Sequence, residues 1–424
     1  MYFLIETEEQ LSKLQPRDSC FLQIIPNNYA YHPKLANVSL YYYRSDDKGY
    51  VFSVEHSESF TLDNKLVVDF INKHKTLYVV DKKYHLHFLN HSGMVDLQFL
   101  KPGVKDQKTQ IQLEYERLYR GFSGVNNVIP IVKHYEHMNA LYDAYKDCFG
   151  KTYSPSIDRV IEAYNYVEQN PIGVDEAKFF SEFKLSENQA SFERASLYNQ
   201  YNLHNQTGRP TNSFNGVNFL AIPKDAEHRD CFVPKNDYFV EFDFDGYHLR
   251  LVSNEVGYSF GKQSVHETLG KIYFDKDQLT EEEYKESKTI SFKNLYGGVP
   301  EAHQRIEFFR AMVTLSNKLS EGCAPGASME LPTGITLHRD EDMYDSKLLN
   351  YYVQNLETKR NAEKILQLKE ILRGMKTKLV LITYDAFLFD YSLSDGKELL
   401  LKVKDVLEQD NMATKHKHGK TYFL

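Results

Sequence analysis

The sequence predicts a chain of more than one domain, α/β in its first third and α+β in the remainder. Its 424 residues are enough for two or three domains, each with a core of its own. Residues 1 to about 150 alternate apolar strand-like runs with helical spacing. Further on, strand-like runs at 238–243 and 377–391 are separated by long helical patterns. Hydrophobic residues make up 42% and charged residues 26%, a globular rather than disordered composition. The formal charge is −8, so a global basic field is absent and any nucleic-acid contact needs local basic patches. Cys20, Cys148, Cys231 and Cys323 are scattered with no CxxC pair, which fits free thiols in a reducing cytoplasm. The opening MYFLIETEEQ lacks the basic-apolar-small order of a leader, and no apolar run reaches membrane-spanning length. The expectation is a cytoplasmic monomer.

In chain order, Cys20 to Ile25 is an apolar strand bounded by Pro26-Asn27-Asn28. Val38–Tyr43 and Tyr50–Val54 flank Asp46-Asp47-Lys48-Gly49, a hairpin signal. Leu66–Lys75 has helical spacing, Thr76–Val80 is a strand, and Tyr84–Leu89 starts a helix. Residues 151–206 are helical by pattern, with Ile157, Val160, Ile161 and Tyr164 on one face. Pro171-Ile172-Gly173 breaks that run, and 179–197 resumes it with Phe180, Phe183 and Phe192. Thr207–Ile222 is a loop rich in Gly, Asn and Ser that passes into an extended run. Residues 229–250 form a strand pair, and Lys347–Met375 forms a long helix. The closing Lys415–Lys420 carries His416 and His418, a solvent-facing pair on a basic end strand rather than a metal site.

Three stretches carry chemistry. YFVEFDFDGYHLR (Tyr238–Arg250) is a buried strand that ends at Asp243 and breaks at Gly246. An acid at such a point either holds a hard divalent cation or caps the next helix. In Glu281–Gly298, Lys285, Lys288, Phe292 and Tyr296 follow at intervals of three, four and four, so they share one helix face. Two ammonium groups followed by two rings grip a triphosphate and stack on a base, or else form an ordinary amphipathic surface. In Thr377–Tyr391, two apolar strands flank a turn at Tyr384-Asp385, which places Asp385 at a hairpin tip.

In this order the three stretches resemble motifs A, B and C of the family A DNA polymerases, the DNA polymerase I family. The first matches at Asp243 and Leu249-Arg250, the second at Lys288, Phe292, Tyr296 and Gly297, and the third at Tyr384-Asp385-Ala386. TGRPTNSFNGVNFLAIP (Thr207–Pro223) resembles the family's Thr-Gly-Arg stretch, Ser264–Glu267 its Ile-His-Thr segment, and Asn350 with Gln354 its Asn-x-x-x-Gln pair. The ordered match covers about 205–424, and the wording is similar to shortened bacteriophage members. The resemblance implies a right-hand polymerase with a short thumb at 151–206 and palm and fingers at 207–424, the fingers at about 255–345. It also implies that 1–150 is a ribonuclease-H-like 3′–5′ exonuclease-type domain.

By the same resemblance, two Mg²⁺, replaceable by Mn²⁺, are held by Asp243, Asp385 and the carbonyl of Phe244, with Asp245 a candidate outer acid. The resemblance assigns Lys288, Lys285 and His266 to the phosphates, Phe292 to the sugar and base, and Tyr296 to the templating position. It implies that Arg209, Asn350 and Gln354 contact the duplex. The implied partners are primer–template DNA and dNTPs, with no membrane. Motif C lacks its usual flanks, Lys293 replaces a usual Gly, and His248 stands where a Glu usually excludes a 2′-hydroxyl. The exonuclease carboxylates are missing: Gln23-Ile24-Ile25, His85 and Asn139 occupy their places, which implies a domain without proofreading. The rival readings are a single-subunit RNA polymerase and a non-catalytic DNA-binding replication factor.

Overall fold

The computed structural model describes residues 2–45, 47–101, 110–183, 192–212 and 217–424. The chain divides into two compact units. One comprises Met1–Tyr153 with Phe183–Gln200 and Ser213–Val217; the other comprises Ser154–Glu182, Tyr201–Asn212 and Asn218–Leu424.

The first unit is built on a six-stranded sheet of β1 (Tyr2–Ile5), β2 (Ser19–Pro26), β3 (Val38–Arg44), β4 (Gly49–Ser53), β5 (Thr76–Val79) and β6 (Met94–Asp96), in the order β1-β4-β3-β2-β5-β6. The β4-β3-β2 run is antiparallel, β5 and β6 run parallel to β2, and β1 runs parallel to β4. β2 shows why its sequence is a continuous apolar run. Leu22 and Ile24 enter one core with Val67 and Phe70 of α1 (Asn64–Ile71). Phe21 and Ile25 enter the other with Tyr115 of α2 (Gln110–Gly121) and Met138 of α3 (Ile131–Tyr145). A strand covered on both faces has no polar side to alternate with.

Three sequence expectations change here. The edge strand β1 was not expected; its short run is followed at once by acids, which hid it. The helix expected through 179–197 is a helix only over Glu176–Glu182. Residues 184–191 lie outside those described, and Phe192–Glu193 and Ser196–Leu197 are short paired strands. Arg194 and Ala195 take φ of 47° and 55° between them, a tight reversal that ring spacing could not reveal. At 229–250 the two strands do not pair with each other: β8 (Phe232–Val233) pairs with β7 (Ile172–Val174), and β9 (Tyr238–Phe244) is central in another sheet. The expected 38–54 hairpin is present, with Arg44 opposite Gly49, although Asp46 of its turn lies outside the described residues.

The second unit centres on an antiparallel sheet, β10-β11-β9-β12, with β10 at Lys378–Thr383, β11 at Ala386–Tyr391 and β12 at Thr414–Gly419. Its helices are α4 (Pro155–Glu168), α5 (Tyr247–Glu255), α6 (Val265–Phe274), α7 (Glu281–Gly297), α8 (Glu307–Gly322), α9 (Asp345–Ile371) and α10 (Lys397–Leu407). α9 is the mast of the unit, with α4, α5, α7, α8 and α10 all packed along it. It is buried on several sides, so apolar and polar residues alike lie inside, among them Asn355, Glu357, Thr358, Arg360, Asn361 and Lys364. Among the described residues no helix is long and apolar enough to cross a membrane.

The turn into α5 is pinned by Arg250, which is 1% exposed. Its guanidinium donates to the carbonyls of Asp245, Gly261, Gln263 and Asn411 and faces the Asp245 carboxylate at 3.4 Å. Arg250→Ala should therefore lower the free energy of urea unfolding by about 3–5 kcal/mol, since it removes a buried charge partner of Asp245 and leaves four carbonyls without their donor. A midpoint equal to the parent's would contradict this account.

Candidate active site

β9 is aromatic and β-branched, and it is flanked on both sides: Asp243 lies opposite Ala386 of β11 and Lys415 of β12. The strand ends because Gly246 adopts φ 60°, where a Cβ would come 2.9 Å from the Cβ of Val265; only glycine fits. That turn separates two acids that strand alternation would place on one face. Asp243 stays at the strand end, open to solvent. Asp245 is carried inward, where it accepts from the Val265 N–H at 2.9 Å and Ser264 Oγ at 3.2 Å and meets Lys415 at 3.3 Å. Burial pushes the Asp245 carboxyl up, but the Val265 N–H, Lys415 and Arg250 together hold it below its usual range. Asp245 therefore fixes the turn and the start of α6.

Asp385 follows from the hairpin. β10 and β11 close through Tyr384-Asp385, with Thr383 opposite Ala386 and Tyr384 at φ 61°, the left-handed geometry of a two-residue turn. The Asp385 carbonyl accepts from the Phe244 N–H at 3.0 Å, which ties the tip to the end of β9. The two carboxylates thus belong to neighbouring strand ends. Partial desolvation, then Asp385, then Glu241 push Asp243 up to about 6. Asp385 is raised by desolvation and next by Glu357. Among the described residues no other side chain donates a hydrogen bond to either carboxylate. Two exposed, mutually repelling acids without side-chain donors suit a hard divalent cation, so the residues fit Mg²⁺ or Mn²⁺.

α7 is started by a capping box between Thr280 and Glu283 and by acids in its first turn. Along it, Phe292 and Tyr296 stack with ring centroids 5.9 Å apart, and Lys288 Nζ lies 5.9 Å from the Phe292 centroid. The charge of Lys288 acts on Asp243, whereas Lys285 forms an outward ion pair with Glu281 at 2.6 Å. His266, on α6, meets the Phe292 ring edge-on at 5.1 Å. Burial pushes its imidazole down to about 4, despite Asp245, with Lys288 adding to the effect; its Nδ1 has no hydrogen-bond partner among the described residues.

His248 bonds through Nδ1 to the Tyr296 hydroxyl at 2.9 Å and through Nε2 to Glu357. Arg209 makes a two-pronged pair with Glu357, at 3.2 and 2.9 Å, and lays its guanidinium 3.8 Å from the Tyr384 ring centroid. Asn350 and Gln354 lie on α9, bonded to each other at 3.1 Å. Sequence reasoning missed Glu357 and also Asn361, which donates to the Tyr384 carbonyl at 2.9 Å and accepts from the Tyr247 hydroxyl at 2.6 Å. It also missed Lys224, whose charge acts on both Asp243 and Asp385. The only available signal was that Glu357 and Asn361 extend the Asn350–Gln354 run at helical spacing.

No protein-family model matches the sequence, and no curated protein matches it in a sequence search. In fold, the chain is similar to a solved structure described as the POL domain of Pol1 from M. smegmatis in complex with DNA primer-template and dNTP. The TM-score is 0.67 at 12% identity, covering 96% of this chain and 96% of that one. At that identity the likeness establishes the architecture: a mixed α/β polymerase-domain fold.

Because Asp243 must lose its proton to bind a cation, Mg²⁺ or Mn²⁺ affinity should fall as pH drops through about 6 and level off above it. Calorimetric titration in two buffers of different ionisation enthalpy should show proton release near pH 6 that disappears in Asp243→Asn. Affinity independent of pH between 5 and 7 would refute the assignment.

Proposed function

We propose that this chain is a DNA-templated DNA polymerase of the family A type, adding deoxynucleotides to a primer 3′-hydroxyl. The observation that carries this reading is the pair Asp243 and Asp385, uncompensated at neighbouring strand ends, with the charge of Lys288 acting on Asp243. The resemblance of the polymerase motifs to the same residues supports it. So does the solved neighbour, whose description names a DNA primer-template and dNTP.

In the reaction the 3′-hydroxyl oxygen attacks the α-phosphorus, the bond to the leaving pyrophosphate breaks, and the hydroxyl proton is lost. Asp243, Asp385 and the Phe244 carbonyl are the groups that would hold two Mg²⁺, and such ions would supply positive charge where the attacking and leaving oxygens become negative. Lys288 offsets charge on the departing phosphates. Phe292 packs on the sugar and base, and Tyr296 extends that stack. Arg209, Asn350 and Gln354 line the duplex side, where they test shape while pairing reads sequence. In this reading 207–424 is palm and fingers, and the segment around α4 serves as a reduced thumb.

The first unit is read as an exonuclease-type domain without activity. Its β4-β3-β2-β5-β6 order, with three antiparallel strands followed by two parallel ones, supports a ribonuclease-H-like origin. Its substituted residues are otherwise engaged. His85 Nε2 accepts from the Ile24 N–H at 3.1 Å and Nδ1 donates to the Asp81 carbonyl at 2.8 Å, leaving no free lone pair for a metal. Asn139 Oδ1 accepts from Arg44 at 2.7 Å and from the Tyr42 hydroxyl at 3.2 Å, so a guanidinium sits against the third position.

Primer extension with dNTPs and, separately, NTPs tests the reading. Asp243→Ala and Asp385→Ala should each remove nearly all extension while duplex binding persists, and extension within about tenfold of the parent would sink the assignment. Lys288→Ala should slow extension far more than Lys285→Ala. A labelled mispaired primer with Mg²⁺ and no nucleotide should stay intact. Shortening that survives Asp243→Ala would show an active exonuclease.

A further inference from the structure

Glu357 is a buried acid that touches two of the elements forming the site, α5 at His248 and the loop at Arg209, and reaches two more, α7 through His248 and the hairpin tip through Arg209. It lies inside α9, 2% exposed. On either side of it, Asn355 Nδ2 donates to the Thr207 carbonyl at 2.7 Å and Thr358 Oγ1 to the Gly208 carbonyl at 3.3 Å. These bonds lay the Thr207–Arg209 loop along the helix, so the Arg209 guanidinium meets the Glu357 carboxylate edge to edge. The oxygen that receives Arg209 Nη2 also receives His248 Nε2. With Nε2–H donated there, Nδ1 meets the Tyr296 hydroxyl at 2.9 Å. One carboxylate therefore fixes the orientation of His248, and it holds Arg209 on Tyr384 beside Asp385.

The place of His248 gives this clamp a use. A nucleotide with its phosphates toward Asp243, Asp385 and Lys288 and its base on the Phe292–Tyr296 stack lays its sugar across the interval between them. Tyr296 and the imidazole bonded to its hydroxyl both lie within electrostatic reach of Asp385, which on the polymerase reading puts them beside that interval. A ring free to turn would give way to an extra hydroxyl on the sugar, and a ring held at both nitrogens does not.

We propose that Glu357 is a specificity-determining positioning residue, holding His248 rigid against the sugar so that ribonucleotides are rejected. This rests on the polymerase reading above. It assigns the discrimination to a carboxylate contributed by α9, 109 residues along the chain from His248.

The test is steady-state primer extension with a dNTP and the matching NTP, comparing the ratio of their kcat/KM values. Glu357→Gln keeps the size of the side chain and leaves Arg209, about a quarter exposed, able to hydrate. Its ratio should fall by about tenfold or more while dNTP extension stays measurable. Tyr296→Phe should lower the ratio in the same direction, and adding it to Glu357→Gln should change little further, because both act through one ring. Should circular dichroism show Glu357→Gln unfolded, the paired replacement of Arg209→Gln with Glu357→Gln removes both charges together and should show the same fall. A purely structural role would slow both substrates in proportion; an unchanged ratio in the folded variant overturns the inference and leaves the polymerase reading standing. A parent protein that extends no primer would instead remove the polymerase reading, and this inference with it.

Discussion

The second unit depends on one constraint: α9 carries charged and amide side chains through a protein interior, and each needs a partner there. A buried polar group without one costs about 1–3 kcal/mol, and an ion costs more. Asn355, Thr358 and Glu357 are satisfied by the Thr207–Arg209 loop and by His248; Asn361 by Tyr247 and Tyr384. Arg360 pairs with Asp410 at 2.7 Å, and Lys364 donates to Gln409. A shift of the helix by one residue would turn all of these away from their partners together. An apolar helix could repack after such a shift; this one cannot, so its register sets the positions of loop, hairpin tip and turn at once.

The same logic, applied in reverse, marks the site. Glu241, Asp243 and Asp245 are spaced by two along one stretch of chain, yet they end in different states. Asp245 is turned inward by Gly246 and saturated with donors, which holds its carboxyl low. Asp243 is left with none, and desolvation and Asp385 hold its carboxyl high. The contrast between two chemically identical side chains two residues apart distinguishes a structural acid from one available to a cation.

Much of this was legible from sequence where the cause is local. The end of β9 at Asp243, the Tyr384-Asp385 tip and the helices α7 and α9 follow from periodicity, turn chemistry and capping, all read within a few residues. What stayed hidden is non-local. Glu357 looks like any surface acid in a polar helix, and its meaning lies in Arg209, 148 residues earlier. The destination of Asp245 depends on where α6 begins, and the Phe192–Leu197 reversal on backbone conformations that aromatic spacing does not record. β1 was lost for another reason: four residues beside acids give too short a pattern to recognise.

The acid pair also bears on the order of arrival. On the polymerase reading, the substrate is a polyanion and the free site presents like charge, opposed nearby by Lys224 and Lys288. The two acids would oppose a naked triphosphate, whereas one that already carries its counter-ion would bring them a cation. On that reading, a nucleotide escorted by a cation would be favoured over a naked one, an electrostatic admission step that would precede base recognition and be blind to it.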